Sequence, residues 1–195
     1  MISGPRLRRL GWLVSVIVAV GLVASAHYPV FVDDIDDIGR AHVIEDIARS
    51  QAFYGRLEPD QVDFYRFEAE AGESVSFEAL VPKTDDLRSF RPEITISGPG
   101  LPDEGMRVPA GAAPTSHYEG LTQTYYWSYA SPDEAASAIE LSEDGAYEVS
   151  VSIDRGEGGP YALVSGNEDS LGPLDVVLFP LEWVRVRLSA CRRCR

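Results

Sequence analysis

From Ser50 onward, apolar residues recur at every second position, in short runs separated by turn residues. The runs are Ala52–Leu57, Val62–Ala69, Ser74–Val81, Glu93–Ser97, Tyr125–Tyr129, Ser137–Leu141, Ala146–Ile153 and Tyr161–Ser165. In Ala146–Ile153, Tyr147, Val149, Val151 and Ile153 share one face, while Glu148, Ser150 and Ser152 share the other. A strand of that pattern lies half-buried in an antiparallel sheet. Glu58-Pro59-Asp60, Ala71-Gly72-Glu73 and Asp144-Gly145 supply turn chemistry between runs. Eight short strands with tight connections predict a mainly β fold, an antiparallel jelly-roll-like β-sandwich over residues 50–170. Residues 98–120 hold five glycines and four prolines, which predicts a long surface loop. Residues 130–136 read as a short acidic connection, with Ser131 placed to cap one helical turn.

At 195 residues, 45% hydrophobic and 25% charged, the chain has material for one domain with its own core. Its 17 basic and 31 acidic residues give a net charge of −14, which excludes a nucleic-acid partner, because phosphate recognition needs a basic face.

The first 26 residues read as an address. Arg6, Arg8 and Arg9 precede the uncharged run Leu10–Ala26, which ends in the small-x-small step Ala24-Ser25-Ala26. These are the parts of a secretory signal, and the run is also just long enough for an N-terminal membrane anchor. Either reading places the remaining chain outside the cytoplasm, periplasmic or at the cell surface. Without those three arginines the charge falls from −14 to −17, so the exported part is a strongly acidic protein. Residues 27–49 follow as an acidic, extended lead-in.

Residues 171–195 change period. Leu174, Val177, Leu178, Leu181, Val184 and Leu188 follow helical spacing, and Arg185, Arg187, Arg192, Arg193 and Arg195 make the end basic. The expectation is an amphipathic C-terminal helix. It either covers the sandwich or contacts a membrane surface or envelope partner through Leu178, Leu181, Trp183, Arg185 and Arg187. Cys191 and Cys194 both fall in this tail, so no disulfide is expected inside the domain. A lone CxxC lacks the four ligands of a zinc site and the flanking elements of a redox motif.

Phe53-Tyr54-Gly55-Arg56-Leu57, Val62-Asp63-Phe64-Tyr65-Arg66-Phe67 and Ala71-Gly72-Glu73-Ser74-Val75 resemble the opening strands of bacterial pre-peptidase C-terminal-like domains. Asp144-Gly145-Ala146-Tyr147-Glu148-Val149 and Gly159-Pro160-Tyr161-Ala162-Leu163 resemble their closing strands. Over the whole exported length the chain also resembles a group of exported or membrane-associated prokaryotic proteins with no assigned activity. Its matching pieces are His27-Tyr28-Pro29, Ser97-Gly98-Pro99-Gly100-Leu101, Leu121–Trp127 and the Leu174–Arg187 tail. Both resemblances imply an accessory β-sandwich and supply no catalytic residues.

Two clusters invite functional readings. Asp33, Asp34, Asp36 and Asp37 place four carboxylates in five residues, a composition that suits calcium but without EF-hand spacing; the alternative is a solvated acidic segment. On a strand, Tyr125, Trp127 and Tyr129 share one face at about 6–7 Å intervals. Exposed, that row could stack on a carbohydrate; turned inward, it is core. No nucleophile elbow, HExxH or glycine-rich phosphate loop is present, and His27, His42 and His117 are scattered. The sequence thus predicts a non-catalytic envelope protein that binds or supports. The alternatives are a carbohydrate-binding module and a calcium-stabilised subunit of a membrane complex.

Overall fold

The fold was analysed in a computed structural model, which describes residues 27–108, 114–119, 124–129 and 138–166. The expected N-terminal signal or anchor, the Ser131 turn and the C-terminal helix with Leu178, Leu181, Trp183, Arg185, Arg187, Cys191 and Cys194 lie outside the described residues.

All eight runs of period two form strands. They are β3 (Gln51–Leu57), β4 (Asp63–Ala69), β5 (Ser74–Pro82), β6 (Arg91–Ser97), β9 (Thr124–Tyr129), β10 (Ala138–Glu140), β11 (Gly145–Arg155) and β12 (Gly159–Ser165). Among the described residues there are four further strands: β1 (Tyr28–Phe31), β2 (His42–Val43), β7 (Met106–Arg107) and β8 (Thr115–Glu119). The expected surface loop over 98–120 therefore needs correcting, since it contributes β7 and β8 and buries Val108. Two-residue strands and a polar edge strand carry no alternation to read.

The larger sheet runs β1-β3-β12-β5-β9-β8, with β10 also on β5; the smaller runs β2-β4-β11-β6-β7. Pairing is antiparallel except where the lead-in enters: β1 lies parallel to β3, and β2 parallel to β4. Both sheets are thus mixed, not purely antiparallel as expected. The lead-in reaches both layers, joined by a turn at Ile38–Arg40, and buries Val32, Ile35, Ile44 and Ile47 in the core.

The inner faces of the two sheets meet on one apolar cluster. Phe53 of the larger sheet meets Tyr65 of the smaller edge to face at 5.5 Å, and Phe67 meets Phe77 at 5.9 Å. Ring pairs at such distances add about 0.5–1.5 kcal/mol each beyond the area they bury. Each face follows the sequence pattern: Asp63, Tyr65, Phe67 and Ala69 of β4 are buried, and Phe64, Arg66 and Glu68 alternate outward.

That alternation carries Asp63 inward with the apolar residues, where the fold satisfies it. Its carboxylate accepts the Tyr161 hydroxyl at 2.6 Å and the Gln61 side-chain amide at 2.8 Å. The Tyr161 and Tyr65 hydroxyls bond each other at 2.8 Å, so the network ties β4 to β12 across the core. Burial raises the Asp63 pKa above the ordinary carboxylate value, against the lowering effect of these hydrogen bonds. Burial likewise raises the pKa of both phenols. Gly55, directly across from Tyr161, makes room for that ring: a Cβ there would sit 2.9–3.0 Å from Tyr161 Cε1, Cζ and Oη.

Candidate functional site

The three residues of the expected aromatic row do share one face of β9, but burial grades steeply along it. Tyr129 belongs to the core, and its hydroxyl donates to the Phe90 carbonyl at 3.0 Å. Trp127 is half-buried against the same cluster, and Lys83 Nζ lies 4.3 Å from the centre of its ring. Tyr125 is 57% exposed. A flat, exposed row of three is therefore not what forms. Tyr129 is committed inward, and Trp127 has a ring face occupied by an ammonium group.

A neighbour that sequence reading missed takes the place of the lost members. β8 pairs with β9 so that Tyr118 lies opposite Tyr125 and Ser116 opposite Trp127. Tyr118 is 52% exposed, and its ring centre lies 5.0 Å from that of Tyr125, the planes tilted by 56°. Lys83 Nζ donates to Ser116 Oγ at 3.0 Å while it sits over Trp127. A cation so placed is worth about 0.5–2 kcal/mol, and here it also pins the Lys83 side chain. The result is an exposed corner of two tyrosines backed by Trp127, Lys83 and Ser116. Among the described residues, β8 forms the outer edge of the larger sheet. The sequence signal that could have found Tyr118 was weak, because Thr115–Glu119 is polar and shows its partner only through register.

In the acidic lead-in, two carboxylates have local partners. Asp36 pairs with Arg40, and Asp37 Oδ1 accepts the Gly39 amide as the cap of the Ile38–Arg40 turn. Asp34 sits in the left-handed region at φ 56°, with Ile35 between the carboxylates turned into the core. Among the described residues no group of three or more histidine, cysteine or acidic side chains is arranged to hold a metal. Of the four carboxylates in the calcium expectation, Asp33, Asp34, Asp36 and Asp37, the last two are engaged in local contacts.

The histidines stand apart. His27 Nδ1 lies 2.6 Å from Ser50 Oγ, and His42 packs edge-on to Phe53 and Tyr65. Burial lowers the His42 pKa, opposed by the charge of Glu45. His117 Nε2 lies 3.9 Å from a Glu119 carboxylate oxygen. Ser116 and His117 are successive residues of one strand and so point to opposite faces of the sheet, which prevents them from acting as a nucleophile and its base. Among the described residues, no helix is long and apolar enough to cross a membrane.

No family model matches the chain, and no curated protein does. Solved structures similar to it include PliG of Salmonella Typhimurium, a periplasmic lysozyme inhibitor of g-type lysozyme. It is 17% identical, with 71% of this chain and 97% of that one covered at a TM-score of 0.40. A mutant of the Escherichia coli PliG is 18% identical, covering 72% and 98% at 0.40. The pre-peptidase C-terminal domain of a Bacillus anthracis collagenase, the kind of module the strand motifs resemble, is 13% identical, covering 69% and 99% at 0.37.

Proposed function

We propose that this chain is an exported, non-catalytic β-sandwich protein that binds a protein partner at the cell envelope. The contact surface in this reading is the Tyr118–Tyr125 corner of the larger sheet. The observation that carries it is the exposure of two adjacent tyrosines, 52% and 57%, on an edge where half-buried Trp127 and Lys83 form a fixed backing. Aromatic residues on a rigid support are the groups that anchor protein interfaces, because they offer large contact area at small entropic cost. The tilt between the rings and the ammonium over Trp127 favour a protein surface over a sugar ring, which needs an open aromatic face. Export rests on the Arg6–Ala26 signal pattern.

The test is site-specific photo-crosslinking in cells. A benzophenone side chain at position 125 should yield one protein adduct of defined mass in the envelope fraction. The same probe at Glu68, exposed on the smaller sheet, should not. Tyr118→Ala should abolish the adduct without changing the amount of folded protein. Equal adducts from both positions, or an adduct indifferent to Tyr118, would refute this surface.

A further inference from the structure

The larger sheet buries both of its faces. Beyond the core shared with the smaller sheet, Ala52, Leu80, Tyr126, Ala162 and Val164 form a second buried cluster, with Tyr54 packed against it. Register places these residues together on the outer face. Tyr54 lies opposite Ala162, Ala52 opposite Val164, and Ala162 opposite Leu80; Leu80 in turn lies opposite Ser128, two residues from Tyr126 on the same face of β9. Leu80 is 2% exposed and Val164 5%. Lateral neighbours in one sheet shield the sides of a leucine but not its tip, so burial of this order requires a layer above the sheet. The described members of the cluster come only from β3, β5, β9 and β12, the sheet itself.

We infer that the layer is the chain's own C-terminal segment, residues 171–188, seated on the outer face of the larger sheet. Three observations select this occupant. First, β12 lies between β3 and β5, in the middle of the sheet, and the chain leaves it at Gly166, which takes φ +70°. A Cβ at Gly166 would lie 2.3 Å from the Arg49 carbonyl oxygen, so only glycine allows the chain to turn there, and 29 residues follow the turn. Second, the dimensions match. Leu174–Leu188, helical on both sides of the bend that Pro180 imposes, reaches up to about 22 Å, and six strands spaced by about 4.8 Å cover about 24 Å. Third, the charges match. The outer face carries Glu78, whose carboxylate accepts the Ser128 hydroxyl, and the buried carboxylate of Glu119 on β8. In the segment Asp175 and Glu182 come first, and the positive charge is gathered at its end, in Arg185 and Arg187 with three more arginines beyond them. Its apolar positions Leu174, Val177, Leu178, Leu181 and Val184 then meet sheet, not lipid.

Amide hydrogen exchange on the full exported chain tests this. Residues 174–188 should exchange slower than an unstructured chain by on the order of 100-fold, independently of protein concentration. The variant Leu178→Asp with Leu181→Asp changes only the segment. It should abolish that protection and make the Tyr54 and Tyr126 phenols reactive to iodination, while exchange in β4, β6 and β11 stays unchanged. Free exchange of 174–188 in the unaltered chain would overturn the inference. So would protection that appears only at high protein concentration, which means a second copy, or only with anionic phosphatidylglycerol vesicles, which means a membrane. Phenols that stay shielded in the variant would overturn it as well. None of these outcomes bears on the tyrosine corner.

Discussion

Replacement of Tyr161 by phenylalanine removes one oxygen and leaves two groups stranded. Asp63, 2% exposed, loses the hydroxyl donated at 2.6 Å and keeps only Gln61, while Tyr65, with no exposed surface, loses its partner at 2.8 Å. A hydrogen bond to a charged acceptor contributes about 1.5–3 kcal/mol, and an orphaned buried hydroxyl costs about 1–3 kcal/mol. The expected loss at pH 7 is therefore about 3–5 kcal/mol. The loss also carries a pH signature. In the folded chain the Asp63 pKa is raised by burial and partly restored by the Tyr161 hydrogen bond, so Tyr161→Phe raises it further. A raised carboxylate penalises folding above its folded pKa, and the penalty fades as pH falls toward the unfolded value. The difference between the two proteins should thus shrink from pH 7 to pH 4, ending near the cost of the neutral hydroxyl contacts alone. Urea unfolding at several pH values measures this, with an unchanged m-value as the control that both unfold alike. A loss below about 1 kcal/mol at pH 7, or one that stays flat with pH, would refute the assigned network.

Further outcomes follow from the same contacts. His42 has a lowered pKa, so it contributes stability above about pH 6.5 that is lost as pH falls through its folded value; His42→Phe should flatten the drop in thermal midpoint between pH 7 and pH 5. Gly55→Ala should cost about 1–3 kcal/mol by driving a methyl group into the Tyr161 ring, read by chemical denaturation. Joint replacement of Tyr118 and Tyr125 by alanine should leave stability within about 1 kcal/mol, read by chemical denaturation, because both rings are largely exposed.

The parts of the fold readable in the sequence were those with one buried face, because a period of two reports burial of alternate side chains. β4, β6 and β11 of the smaller sheet show that alternation cleanly; His42–Val43 and Met106–Arg107 are too short to show a period. Tyr28–Phe31, at the larger sheet's other edge, carries a proline and a burial pattern without alternation. The aromatic row shows the same boundary from the functional side. Alternation puts Tyr125, Trp127 and Tyr129 on one face, but which end emerges depends on Phe90, Lys83 and Tyr118, brought there by pairing and loop course. The inward position of Asp63 is legible in the sequence, because an aspartate in phase with Tyr65 and Phe67 has to point inward.

The position of β12 has a consequence for the order of events during synthesis. The last described strand is not an edge but the bridge between β3 and β5. Until Gly159–Ser165 is available, the strands before it cannot close the larger sheet, and β3 and β5 lack their shared partner. Pairings this distant in sequence also place folding on the slow, millisecond-to-second side of the scale. The strand order therefore leaves the larger sheet open until the last described strand is in place.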